Sequence, residues 1–245
     1  MAREVAPETA IERLVRYLFD APGAGAAAGT DPLAAELAAW LTTSPRFRTF
    51  AEAHRDKIRK KLRGAADPEA RRDVRAELRT AHLLLGDKQI ELAFEAYGSG
   101  KPGPDFTVSF RGERGFNLEV TRKRRNTDVT SYGWALLAKL RQLPPSVPNA
   151  VLLAIDGEGA DAVDVEAAIR AFRARADRKD EEFFVGRGFE GTRGFYERFL
   201  RLGAVFVVGE AVSGEGSASL WLNRSARIAV PARAARACLV ALRAE

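Results

Sequence analysis

The chain has 245 residues, 46% of them hydrophobic and 29% charged, with a net charge of +6. That composition supports a packed core and excludes wholesale disorder. The longest clean apolar runs, 150–155 and 204–208, are too short to span a bilayer, and the first residues lack the apolar stretch of a signal peptide. One cysteine, Cys238, excludes an internal disulfide and a cysteine-built zinc site. Two histidines, His54 and His82, leave little for a histidine metal centre. A reducing, cytoplasmic location is expected.

In chain order, residues 7–20 read as a first helix, with Ile11, Leu14, Val15 and Leu18 on one face. Residues 21–31 form a Gly/Ala/Pro-rich loop. Asp31-Pro32 and Ser44-Pro45 are each a cap followed by proline at the first helical position, so a helix starts at each. The second carries Phe47, Phe50, Ala51, His54 and Ile58 on one stripe, where His54 reads as a packing residue. Asp67-Pro68-Glu69 opens a helix that Gly86 ends. Strands follow at 90–97, 105–110 and 116–120, with 101–104 as a turn and 111–115 as a five-residue hairpin loop. Residues 131–143 read as a helix ended by Pro144-Pro145. The uniformly apolar run 150–155 marks a strand buried on both faces. A helix at 163–175, a charged, Gly-rich loop with short structure at most at 177–194, a short helix at 195–202, strands at 204–209 and 218–222 and a helix at 231–243 complete the chain. The order predicts an α/β fold with a mixed sheet. It also predicts two domains, an N-terminal helical region at 1–65 and an α/β domain at 66–245.

The charge is unevenly placed. Residues 44–63 hold eight basic side chains, among them Arg55, Arg59, Lys60 and Lys61, against two acids, and net +6, so the remaining chain is neutral. A second run, Arg122-Lys123-Arg124-Arg125, follows the third strand. A charge run is commonly a solvated face. Two such runs, one beside the carboxylates described next, point to a phosphate-rich partner.

With a five-residue hairpin loop, Phe110 pairs with Phe116, Asp105 stands opposite Thr121 and Thr107 opposite Glu119. Strand alternation then turns Asp105, Glu119 and Thr121 to one face, with the two carboxylates as diagonal neighbours. Such a pair is costly unless neutralised. Mg²⁺ or Mn²⁺ would neutralise it, with the Val120 carbonyl as a further ligand. Glu77, on the partly apolar face of its helix, is a third candidate ligand, or else a helix-edge partner for an arginine.

Glu77 on a helix, Pro104-Asp105 opening a strand, and Asn117-Leu118-Glu119-Val120-Thr121-Arg122 after a hairpin resemble the PD-(D/E)xK nuclease superfamily. The resemblance covers about residues 67–156. It implies a restriction-endonuclease-like sheet flanked by helices, with Asp105, Glu119 and Glu77 as metal ligands. The family's lysine, two residues after the glutamate, orients or activates the attacking water. Thr121 stands there in this chain, and threonine cannot supply the charge. Lys123, two residues further along the same face, and Lys139, on the following helix with Gln142 three residues on, are the candidate replacements.

The expected activity is therefore metal-dependent hydrolysis of phosphodiesters in DNA, ahead of RNA. Arg122, Lys123, Arg124 and Arg125 would hold phosphates through bidentate or point-charge contacts. Phe47, Phe50, Tyr132 and Trp134 lie near the basic runs and could stack on bases, although core packing is the commoner use. By analogy with endonucleases that cut both strands, a homodimer is expected. The competing reading is a non-catalytic nucleic-acid-binding protein on the same core, which Thr121 favours. A protein-interaction module, with both basic runs merely solvated, would show no nucleic-acid affinity at low salt.

Overall fold

Three helices start where a capping side chain precedes a proline. Asp31 Oδ1 accepts from Leu33 N at 2.9 Å, Ser44 Oγ from Phe47 N at 3.2 Å, and Asp67 Oδ1 from Glu69 N and Ala70 N, both at 2.8 Å. Each such cap contributes about 1 kcal/mol. The computed structural model describes residues 8–19, 31–96, 103–124, 129–157, 163–209 and 217–243. The expected loop at 21–30 and the start of the turn at 101–102 lie outside these residues. The chain divides into two units, Met1–Gly86 and Asp87–Glu245. Among the described residues no helix is long and apolar enough to cross a membrane.

The first unit holds α1 (Ala10–Phe19), α2 (Pro32–Thr43), α3 (Pro45–Ala53), α4 (Arg55–Gly64) and α5 (Pro68–Leu84). The single basic helix expected after Ser44 is two helices, because the backbone at His54 (φ −112°, ψ 14°) leaves helical geometry. Phe50 packs edge-on to His54 at 4.8 Å, in keeping with a packing role for this histidine. The division at Gly86 falls 21 residues later than the expected boundary at 65/66, because α5 is bound into the helical unit. Arg75 grips Glu36 of α2 at 2.6 Å, and Lys61 of α4 pairs with Glu77 of α5. His82 of α5 stacks on Trp40 at 5.4 Å and meets Phe47 edge-on at 5.3 Å.

Burial, and then the neighbouring Arg79, hold the His82 imidazole below its ordinary value near 6.5. The unfolded chain therefore takes up a proton below about pH 6.5 that the folded unit refuses, and stability falls as the pH drops through that range. The expected result is a wild-type urea midpoint that declines between pH 7.5 and 5.5, and a His82→Gln midpoint that declines less. Equal declines would show that His82 does not contribute.

The second unit is built on one six-stranded sheet in the order β1-β2-β3-β4-β5-β6. Its strands are β1 (Ile90–Phe94), β2 (Phe106–Phe110), β3 (Phe116–Lys123), β4 (Asn149–Ile155), β5 (Leu202–Gly209) and β6 (Ala218–Leu222). β1–β2, β2–β3 and β5–β6 are antiparallel, whereas β3–β4 and β4–β5 are parallel. Parallel neighbours need crossovers. The first is α6 (Val129–Leu140), and the second comprises α7 (Val165–Asp177), α8 (Glu181–Val185) and α9 (Gly191–Phe199). These helices cover one face through Leu136, Leu140, Ile169, Phe172, Phe195 and Phe199, packed on Val151, Leu153, Val205 and Val207. The last helix, α10 (Ala232–Arg243), packs on β2, β5 and β6. Every residue of β5 is buried, as its unbroken apolar run requires.

The segment expected as a charged loop at 177–194 contains α8 and the start of α9. Asp180 caps α8, and the Glu181 carboxylate accepts from Thr192 N at 2.9 Å and Thr192 Oγ1 at 2.6 Å at the start of α9. Gly191 (φ 67°) makes room for that carboxylate, since a Cβ there would sit 2.1 Å from Glu181 Oε2.

Candidate active site

The β2–β3 hairpin sets the geometry. Its register pairs Phe106 with Leu118, Thr107 with Asn117 and Val108 with Phe116. Phe110 does not pair with Phe116, so the ladder is displaced by two residues from the expected one. The cause is at the end of β2, where Ser109 and Phe110 pair with β1. The chain then leaves through Arg111, whose φ is 53° and whose amide bonds Gln89 O at 2.9 Å. An even displacement preserves which face each side chain occupies. Glu119 and Thr121 therefore share a face of β3; Asp105 lies outside the ladder, whose last pair is Phe106 with Leu118, and the register continued past that pair would set it opposite Glu119 rather than diagonal to it.

Asp105 lies just before β2, where its Oδ2 accepts from Val120 N at 2.8 Å. Asn117 N donates to Pro148 O on the β4 side, so alternation turns the Val120 N–H and C=O to the opposite edge of β3, toward Asp105. Glu119 is 8% exposed, and its partner comes from α6: Lys139 Nζ donates to Glu119 Oε1 at 2.6 Å. Gln142 Oε1 is 3.4 Å from the same ammonium. These polar contacts thus involve position 105 just before β2, positions 119–120 of β3, position 139 of α6 and position 142 just after it. An ammonium has three donors, and two of them meet Glu119 and Gln142.

The remaining candidates are placed as follows. Thr121 and Lys123 continue the Glu119 face to the end of β3, both half-buried. Lys123 makes no ion pair with a described residue. Arg122 alternates to the other face, pairs with Asp156 and keeps only 7% side-chain exposure, so its guanidinium holds the sheet together. Arg124 is exposed, and Arg125 lies outside the described residues. Glu77 is engaged by Lys61 inside the helical unit. In that unit Arg55 and Arg59 lie over the Tyr17 ring, at 5.4 and 4.2 Å from its centre, and Tyr17 donates to Asp56. Arg55 and Lys60 are exposed, and Arg59 and Lys61 are half-buried. Phe47, Phe50 and Tyr132 are core residues, whereas Trp134 is 37% exposed and carries the Arg187 guanidinium over its ring at 4.3 Å.

Among the described residues no three His, Cys, Asp or Glu side chains gather closely enough to hold a metal ion. The local donor set is two carboxylates and one backbone carbonyl, all hard oxygen donors of the kind Mg²⁺ and Mn²⁺ take. Cys238 is unsuited to chemistry: it is buried in α10, and burial pushes its thiol up to about 12.

Two arginines escaped sequence reading, Arg141 beside Gln142 and Arg198 in α9; they line a cavity with Gln142. The only local signal was the adjacency of Arg141 to Gln142, because the α9 partner lies 57 residues away in sequence. Comparison with known proteins returns no matching family model, no matching curated protein and no matching solved structure.

Proposed function

We propose that this chain is a divalent-metal-dependent nuclease that hydrolyses phosphodiester bonds of DNA. One observation carries the reading: Lys139 of α6 reaches Glu119 of β3, while Asp105, just before β2, accepts from the amide of the adjacent residue, Val120. The order β1-β2-β3-α6-β4 within the sheet unit supports the resemblance to PD-(D/E)xK nucleases, as does the position of the two acids. Lys139 supplies from α6 the charge that Thr121 cannot.

Asp105 and Glu119, with the Val120 carbonyl, would hold Mg²⁺ or Mn²⁺. Bound there, such a cation supplies Lewis acidity to a phosphodiester oxygen and lowers the pKa of a water. Lys139 fixes the Glu119 carboxylate and directs positive charge to where the pentavalent phosphate gains negative charge. Gln142, in the turn just after α6, restrains the lysine. The Val120 amide fixes Asp105 so that its carboxylate does not rotate away. Lys123 and Arg124, at the end of β3, lie along the approach to these groups and would take flanking phosphates.

The closed Glu119–Lys139 pair and the absence of a third acid among the described residues favour the second reading, a nucleic-acid-binding protein without catalysis. The two separate in one experiment. Supercoiled and linear duplex DNA are incubated with the full chain in Mg²⁺, Mn²⁺ or EDTA. Nicking or linearisation that stops in EDTA supports the nuclease. Retention in a gel that weakens steeply with salt, without cleavage in either metal, supports the binding protein.

A further inference from the structure

The cavity beside Gln142 encloses about 400 Å³ between the end of α6 and the α8–α9 segment. That is within the range of small-ligand sites, about 300–1,000 Å³. Its wall carries two cations without carboxylate partners among the described residues. Arg141 makes one hydrogen bond, from Nη1 to Arg187 O at 3.3 Å. Arg198 sits close to Arg201, whose guanidinium pKa is lowered by burial and then by Arg198. Gly188 (φ 75°) lets the Arg141 guanidinium lie flat on the backbone, since a Cβ there would be 2.7 Å from Arg141 Cζ. Of the two acids in the wall, Glu197 is bound to Arg193 at 3.0 Å and Glu190 is exposed.

Two guanidinia lining one cavity repel each other, and an anion between them removes that repulsion. Guanidinium matches phosphate geometry through its fork of donors. The acids disfavour a bare anion but suit the amino and hydroxyl donors of a nucleoside. A bounded, partly open cavity of this volume also differs from the long groove that a continuous strand follows. We propose that this cavity is a subsite for the terminal, phosphate-bearing nucleotide of a nucleic-acid strand, with Arg141 and Arg198 on the phosphate. The strand would reach the Asp105–Glu119–Lys139 group past Gln142, and that placement rests on the nuclease reading.

The test measures binding of the full chain, in EDTA, to short single-stranded oligonucleotides ending in 5′-phosphate, in 3′-phosphate or in hydroxyl at both ends. One phosphorylated form is expected to bind at least ~10-fold tighter than the hydroxyl form. Arg141→Ala and Arg198→Ala should each remove the difference, and Gly188→Ala should reduce it by displacing Arg141. Asp105→Asn should keep the preference, which separates the subsite from the metal-dependent reading: a phosphate preference without cleavage would leave the subsite standing and remove the nuclease. Circular dichroism of the variants checks folding. Equal binding of all three oligonucleotides by wild type overturns the proposal. So does a preference that survives both arginine variants, or competition by a nucleoside monophosphate without any end preference.

Discussion

Replacing Lys139 by methionine is expected to lower DNA cleavage by about 10²–10³-fold, the loss typical of removing one preorganised charge from a reacting centre. The change has a structural side, because Glu119 is buried and Lys139 is its cation. Removing one partner of a buried pair is costly, about 3–5 kcal/mol when the other charge stays uncompensated. Activity is therefore read beside stability, and Lys139→Met with Glu119→Gln provides the control: the double variant regains stability but not cleavage. Lys123→Ala, at the end of β3, should leave kcat within a few-fold and mainly raise KM as a flanking phosphate contact is lost. Reversed effects, a collapse of kcat at Lys123 and none at Lys139, would move the replacement lysine back to the strand.

The second large effect concerns the metal. Mn²⁺ titrated into the full chain, with free Mn²⁺ followed by electron paramagnetic resonance, should show one bound equivalent in wild type. Asp105→Asn keeps an acceptor for Val120 N, so the backbone contact at 2.8 Å survives while the ligand charge is lost. Affinity should fall by at least ~10-fold, which is 1.4 kcal/mol, in Asp105→Asn and again in Glu119→Gln. Glu77→Gln is expected to change Mn²⁺ affinity less than either, because its carboxylate is occupied by Lys61. A larger effect at Glu77 than at Asp105 would restore the helix glutamate as a ligand.

Much of this site was legible before the fold was known, for a physical reason. Strand alternation has a period of two, so the displacement of the β2–β3 ladder by two residues leaves each paired side chain on its expected face. The displacement itself was not legible. It follows from Arg111 adopting a positive φ, which a non-glycine residue rarely does, and from the bond between its amide and Gln89 O. Lys139 and Gln142 were readable as one helix face from their spacing alone, but that this face meets Glu119 depends on how the crossover helix docks on the sheet.

The basic runs show the opposite case. A run of charges in sequence is divided between two faces when it sits on a strand. Arg122 pairs with Asp156, 34 residues away, so its guanidinium is engaged within the sheet unit, whereas Lys123 and Arg124 are not placed with it. On α4, Arg55 and Arg59 lie over Tyr17 from α1, 38 and 42 residues earlier, so part of the basic segment is packed. The boundary of the helical unit was misplaced for a related reason: the stripe on α5 finds its partners in α2 and α3 through His82, Trp40 and Phe47, a match of shapes that composition does not encode.

The most direct single measurement is cleavage of supercoiled plasmid in Mn²⁺ by wild type and Glu119→Gln, purified in parallel and compared at equal concentration. Wild type is expected to convert the plasmid to nicked and linear forms, and Glu119→Gln to leave it supercoiled over the same time. Equal conversion by both proteins, or by neither, would contradict a hydrolytic centre at Asp105, Glu119 and Lys139.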